Sequence, residues 1–362
     1  MSQFQVKRNQ FSISRITEIP TEEEELGPEE ILVNIDYFAY TANNITYAVA
    51  GNTIGYWEFF PAYDNLTKEW GLIPVWGFGD VVASNNDAIP VGDRLFGFFP
   101  PASSLKILPV KVTAHRLIDA SAHRAHLPVG YNLYRRVLGE EHYNRQNDYL
   151  RMIFLPLHIT SFCLWDSLQD NNWFDAEQII ILSASSKTSI GLAIALDEDD
   201  SSPPVTGLTS DKNKSKVESL DLYNQVLAYD ELNQIAPDKK SILIDMSGNT
   251  QIAEYLVNHL KENLINTIQV GFTHWENTSS EIEAENIFFA PAHIQKRVRE
   301  WGLEKFEQES NDFMKRSGAR MSEWMTIQVI DGIEGLAAIH KDVCEGKIEP
   351  DIGLIVKLRD SK

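Results

Sequence analysis

Gln178-Ile179-Ile180-Ile181-Leu182-Ser183-Ala184-Ser185-Ser186-Lys187-Thr188-Ser189-Ile190-Gly191 joins an apolar run to a turn of small hydroxyl residues and then to a second apolar stretch. A short strand buried on both faces, a tight turn and a helix from Ile190 to Leu196 form the opening of a βα unit. The pattern continues downstream, with strands expected at Pro204 to Leu208, Gln225 to Ala228, Ser241 to Asp245 and Thr267 to Gly271. Helices are expected between them, at Lys214 to Leu220 and Thr250 to Leu260. Alternation of this kind predicts a parallel sheet covered by helices.

Upstream the texture is different. Ile31 to Tyr37, after the turn signal Gly27-Pro28, reads as a strand, as do Gly79 to Ala83 and Arg94 to Phe98. Between about 130 and 175 the spacing becomes helical, first polar and basic from Tyr131 to Leu138, then apolar from Ile153 to Leu168. Past the βα units, helical spacing runs from His293 to Lys315, and Gly332 to Cys344 reads as a helix before a closing strand at Ile352 to Leu358. Asp197 to Pro204 reads as a solvated loop.

Bulk properties narrow the partners. The 362 residues are 43% hydrophobic, enough for a substantial core in one large domain or two. Against 52 acidic residues stand 32 Lys and Arg, and the net charge of -20 opposes nucleic acid and anionic membranes. Cys163 and Cys344 stand alone, with no CxxC or Cys/His spacing, so neither a disulfide framework nor structural zinc is expected. The opening Met1-Ser2-Gln3-Phe4 leads into mixed polar sequence, and no stretch of eighteen apolar residues occurs. The expected location is cytoplasmic. No Gly-x-Ser-x-Gly elbow or Walker lysine motif is present, which disfavours hydrolase and nucleoside triphosphatase readings.

The order of elements resembles the medium-chain dehydrogenase/reductase superfamily across nearly the whole chain. Gly27-Pro28-Glu29-Glu30-Ile31-Leu32-Val33 looks like its first core strand, and Val91-Gly92-Asp93-Arg94-Leu95-Phe96-Gly97 is similar to its turn-and-strand signature. Gly335-Leu336-Ala337-Ala338 through Gly346-Lys347-Ile348 to Gly353-Leu354-Ile355-Val356 looks like its closing helix and strand. The likeness is greatest to an uncharacterised branch near the quinone oxidoreductases. It implies an α/β fold with a GroES-like β-rich substrate domain over 1–155, completed by about 275–362, and a Rossmann NADP-binding domain over 156–274. The active site is then expected in the cleft between them. Zinc-dependent members carry a Cys in an early loop and a Gly-His-Glu before the next strand; Tyr40-Thr41-Ala42 and Trp76-Gly77-Phe78-Gly79-Asp80 stand there instead. No soft or imidazole ligand remains, and zinc-independent chemistry is implied.

Ser185, Thr188 and Gly191 fall on the three glycine positions of the family's phosphate-binding turn, so only one glycine survives. Small hydroxyl residues still permit close approach, and Ser185, Ser186, Lys187 and Thr188 offer donors and positive charge at a helix start. A plain strand-to-helix turn with a serine N-cap is the bland alternative. After the next strand, Ser210, Lys212 and Lys214 occupy the place where NAD users carry an acidic residue, with Asp211 as a reservation. A 2'-phosphate, and hence NADPH, is expected, with Tyr229 packing near it. Ser247 and Gly271, at the ends of later strands, are expected to line the ribose and nicotinamide.

Because the cofactor carries the hydride chemistry, the protein must orient a carbonyl or enone and stabilise its developing oxyanion. Asn43, Asn44 and Tyr47 sit in the family's substrate loop, with Thr160 at the head of the dinucleotide domain, and are the expected donors. Capping and core packing compete for the same residues. Tyr131, Arg135 and Arg136 form a basic-aromatic patch, with Tyr131 and Arg135 expected one helical turn apart. Gln295, Lys296 and Arg297 form a second patch, and His158 reads as a core histidine. The expected activity is NADPH-dependent reduction of a carbonyl, quinone or activated alkene by a homodimer acting on a small molecule. The competing reading is a catalytically inactive nucleotide-binding or protein-interaction relative.

Overall fold

The computed structural model describes residues 1–20, 25–270 and 288–358. The chain divides into two compact units, one of Met1–Ile153 with Thr326–Lys362, the other of Phe154–Met325.

The first unit is built on a nine-stranded sheet. Its strands follow the order Thr326–Asp331, Ile352–Lys357, Ile31–Ala39, Val75–Ser84, Arg94–Phe99, Leu133–Arg136, Arg116–Asp119 and Pro109–Val110, with Ser104–Ile107 also paired to Ile31–Ala39. A second sheet joins Gln10–Glu18, Ser2–Lys7 and Trp70–Gly71. The Val91-to-Gly97 signature is a turn that only glycine fits comfortably, since Gly92 has φ +92°. The strand that leaves it carries Arg94 into the interior, 3% exposed. There its guanidinium meets Asp80 at 2.7 Å, Asp36 at 3.0 Å and Asp148 at 3.1 Å, and donates to the Tyr143 hydroxyl at 2.9 Å.

The second unit is a five-stranded, wholly parallel sheet in the order Gln225–Ala228, Val205–Thr209, Gln178–Leu182, Ser241–Asp245 and Leu264–Gln269. Two-residue alternation in Ile179-Ile180-Ile181-Leu182 sends side chains to opposite faces. Ile179 and Ile181 pack with Leu164, Leu168, Leu192 and Leu196, while Ile180 and Leu182 pack with Leu208, Leu227, Leu256 and Leu260. Both faces are therefore covered, which explains the unbroken apolar run. Just before the first strand, Asn172, Trp173, Phe174 and Asp175 hold φ between +49° and +56° in succession, a left-handed turn made without glycine.

Several boundaries differ from the sequence-based ones. The helix expected at Lys214 to Leu220 spans Asp211–Glu218, because Ser210 is its N-cap. The last strand is Leu264–Gln269, ending before Gly271. The helices Ala290–Trp301 and Leu303–Trp324 belong to the second unit, whereas the sequence assigned everything past about 275 to the first. The first is fastened there by Asp166, which accepts from Arg297 Nε at 2.5 Å and Nη2 at 3.1 Å and pairs with His293 at 2.5 Å. Lys296 pairs with Asp170, so the 295–297 patch is a structural clamp on the helix Asp148–Asp170. Tyr131 and Arg135 do not share a helix face, since a short helix Val129–Asn132 gives way to the strand Leu133–Arg136. Arg136 is spent on Asp93 at 2.6 Å.

Candidate functional site

The strand order places a topological switch between Gln178–Leu182 and Ser241–Asp245, where chain connections leave in opposite directions. Ligands of open α/β sheets settle outside the carboxyl ends of strands at such a point. The turn there begins with Ser183 at φ +59° and delivers the chain to the helix Lys187–Asp197. Ser186 caps that helix by accepting the Ser189 N–H at 3.1 Å, and the remaining first-turn amides face the turn with the positive end of the helix dipole. Ala184 is pinned from beneath by the Tyr223 hydroxyl, which donates to its carbonyl at 2.8 Å.

Ser185 is the centre of a polar group that the turn shares with the next strand end. Its hydroxyl receives Thr209 Oγ1 at 3.3 Å and Asn213 Nδ2 at 3.4 Å. Two atoms at the start of the helix Asp211–Glu218, Ser210 Oγ and Asn213 Oδ1, are buried and have no hydrogen-bond partner. Asn213 was not singled out in the sequence. Its position three residues after the N-cap Ser210 was the available signal, because a side chain there folds back towards the helix start. Tyr229 accepts the Ser183 N–H at 3.3 Å, and burial pushes its phenol up to about 12.

Other expected residues are engaged elsewhere. Lys214 is held by Glu231 at 2.5 Å, and the same carboxylate accepts the Ala228 N–H at 2.8 Å. Ser247 is fully buried, its hydroxyl donating to Asp245 at 2.7 Å, so it builds the turn after its strand and is not presented to a ribose. Gly191 faces away from the phosphate turn. A Cβ there would lie 2.7 Å from both His158 Cδ2 and Ser161 Oγ, which makes it the point of closest packing against Asp148–Asp170. Replacing Gly191 with alanine should cost about 1–3 kcal/mol of stability, read as a lower urea midpoint with unchanged slope. His158 itself is fully buried, with Nδ1 2.7 Å from Ser317 Oγ, and burial pushes its pKa down to about 3. Thr160 bonds back to Pro156 O at 3.3 Å within its helix. Gly271 lies outside the described residues.

In the first unit, Asn44 is a helix cap and not an available donor. Its Oδ1 accepts the Thr41 N–H at 2.7 Å and its Nδ2 donates to Pro74 O at 2.8 Å. Tyr47 is 6% exposed and accepts the Trp76 Nε1–H at 3.1 Å, and Asn43 stands in the first turn of the same helix, Ala42–Val49. Its ring lies 4.6 Å from Tyr56 and 5.5 Å from Phe98, centroid to centroid. Tyr131 closes this group, its ring 4.8 Å from Phe98 and its hydroxyl 2.8 Å from that of Tyr56. Burial drives the Tyr47 phenol well above the usual tyrosine range.

Residues 38–349 match a family model described as Protein of unknown function (DUF2855). The chain belongs to that family. A comparison with curated protein sequences gives no match. Among solved structures, this chain is similar to CurA from Vibrio vulnificus in complex with NADPH, at TM-score 0.61 and 10% identity, covering 100% of both chains. The yhdH oxidoreductase from Salmonella enterica in complex with NADP is similar at TM-score 0.54 and 12% identity, over 99% of this chain and 100% of that one. Glucose dehydrogenase from Haloferax mediterranei is similar at TM-score 0.54 and 14% identity, over 100% of both. The fold is accordingly that of the medium-chain dehydrogenase/reductase superfamily, a GroES-like β-rich unit with a Rossmann unit.

Proposed function

We propose that this DUF2855 protein binds NADPH at the carboxyl ends of its parallel strands and reduces a carbonyl, quinone or activated alkene without zinc. The observation that carries the reading is the polar group around Ser185. A buried polar atom left without a partner costs about 1–3 kcal/mol, and two such atoms, Ser210 Oγ and Asn213 Oδ1, stand at the start of the helix Asp211–Glu218, from which Asn213 reaches the turn. A ribose hydroxyl could donate to Asn213 Oδ1, and the Ser210 hydroxyl could donate to a ribose or phosphate oxygen. The likeness to structures solved with NADPH and NADP supports the same ligand class.

The residues present fit a dinucleotide in part. Ser185, Ser186, Lys187 and Thr188 would hold the diphosphate through hydroxyls and first-turn amides. Ser210, Asn213 and Lys212 would face the adenosine ribose and its 2'-phosphate, while Asp211 is exposed. Lys214 contributes only if it exchanges Glu231 for the phosphate. Bound there, NADPH would supply the hydride. Tyr47 and Asn43 would be the donors that hold a substrate's oxygen as negative charge develops. A cytoplasmic homodimer is the expected setting.

Titration with NADPH and NADH, followed by fluorescence, tests this directly. NADPH should bind roughly tenfold more tightly, about 1.4 kcal/mol. No binding of either would remove the reading. The second reading, a non-catalytic relative, is favoured by the engagement of Asn44, Thr160, Ser247 and Lys214 in the fold itself. NADPH binding without oxidation by any of a panel of quinones, enones and aldehydes would establish it.

A further inference from the structure

The strand Thr326–Asp331 ends the nine-stranded sheet, and among the described residues no strand pairs with its outer side. Its inner side is taken in parallel by Ile352–Lys357, without a register shift. The Thr326 N–H donates to Asp351 O at 2.8 Å, which fixes the alternation of the backbone. The peptide groups of Thr326, Gln328 and Ile330 turn inward, and those of Ile327, Val329 and Asp331 turn outward. Natural edges are ordinarily protected by Pro, Lys or a bulge. Thr326-Ile327-Gln328-Val329-Ile330-Asp331 has none of these, is mostly β-branched, and leaves Val329 46% exposed.

The edge is complementary to a second copy of itself. In an antiparallel pair about a two-fold axis at Val329, perpendicular to the sheet, Val329 faces Val329 and Ile327 faces Asp331, so each outward peptide group meets one of the other copy. An axis at Ile327 would run the pairing past Thr326 into Met325, outside the strand. An axis at Asp331 would set two carboxylates face to face. With the axis at Val329 the two Asp331 residues stand about 14 Å apart, beyond the screening length of physiological salt. The helix Gly332–Cys344 supports the same register. It links Thr326–Asp331 to Ile352–Lys357 and packs on both strands. Two such helices, each over its own pair of strands, would run antiparallel roughly 10 Å apart, which is the distance of packed helices. Asp331 lies about 7 Å along the strand from Val329, and the helix returns by about 1.5 Å per residue, so the axis passes near Ala338. Glu334 and Lys341 are exposed on either side of that point. Each Glu334 therefore stands level with Lys341 of the second copy, giving two reciprocal pairs of opposite charge.

We propose that this edge is the seat of a two-fold dimer, in which Thr326–Asp331 of two copies pair antiparallel about Val329 and their sheets become continuous. The dinucleotide reading is not needed for it, and the test uses the full chain without cofactor. Sedimentation velocity at micromolar concentration should show a wild-type dimer. Val329→Pro removes an N–H that the single chain does not use, and should weaken the dimer roughly 10- to 100-fold, the worth of two hydrogen bonds across the axis, with an unchanged circular dichroism spectrum. Val329→Lys keeps the backbone and blocks the edge by charge, and decides the matter if the proline variant does not fold. Glu334→Lys should weaken association roughly 3- to 10-fold, and adding Lys341→Glu should restore it. A monomeric wild type overturns the proposal and leaves the edge to an extended segment of another protein. A dimer of undiminished strength in a folded Val329 variant overturns it as well, because the contact then lies elsewhere. Failure of the double charge reversal to restore association overturns the register about Val329.

Discussion

Arg94→Met should lower the free energy of unfolding by about 3–5 kcal/mol, seen as a fall in the urea midpoint with little change in slope. The size follows from what stays behind. Asp36 and Asp148 have side chains 5% and 1% exposed, and each would lose a guanidinium contact. Arg145 still reaches Asp36 at 2.6 Å, and the Tyr143 hydroxyl still donates to Asp148 at 2.8 Å, which argues for the lower end of that range. Burial already pushes the Asp148 carboxyl above its ordinary value, against the opposing pull of Arg94 and the phenols. Adding Asp148→Asn to the methionine variant should restore part of the loss, because one buried charge is then gone. A fall of less than about 1 kcal/mol in the single variant would show that the arginine is dispensable.

Ser185→Glu should weaken NADPH binding by on the order of 100-fold, measured on protein that a urea curve shows to be folded, since a glutamate at this buried position also lowers stability. Ser185 is 8% exposed and centres the polar group between the turn and the helix Asp211–Glu218. A carboxylate there would face a diphosphate at close range, and like-charge juxtaposition of that kind costs several kcal/mol, of which about 3 gives the factor stated. Ser185→Ala is the companion variant, removing one hydroxyl and costing roughly 3-fold. If the glutamate variant binds NADPH as the wild type does, the dinucleotide does not lie against this turn. A urea curve on the same sample separates lost binding from lost fold.

The parallel sheet was legible because its three central strands are buried on both faces. Gln225–Ala228, Ser241–Asp245 and the helix Thr250–Leu260 have the bounds that apolar runs and turn residues indicate. The candidate site was legible only as a place. That the turn after Leu182 joins a strand to a helix followed from the βα alternation, but which hydroxyls remain unspent there depends on pairings between distant segments. Lys214 looked available until Glu231, seventeen residues on, was placed beside it. Gly191 looked like a phosphate glycine, and only the approach of His158 and Ser161 shows what its missing side chain makes room for. Tyr131 and Arg135 were misread for a local reason: Tyr131 to Leu138 has helical spacing, yet pairing of Arg135 with Phe96 and Arg116 draws it into a sheet. The Arg94 group was invisible, because its carboxylates come from positions 36, 80 and 148.

The first unit is interrupted in the chain by the whole of the second, and this ordering has a consequence for biosynthesis. The strand Ile352–Lys357 pairs with Ile31–Ala39, and Thr326–Asp331 reaches the sheet only through it. A nascent polypeptide emerging from the ribosome carries every strand of the inserted sheet long before it carries the one that completes the sheet around it. The inserted unit can therefore mature during translation, while the flanking unit must wait with the edge at Tyr37–Ala39 open until Ile352–Lys357 has left the exit tunnel.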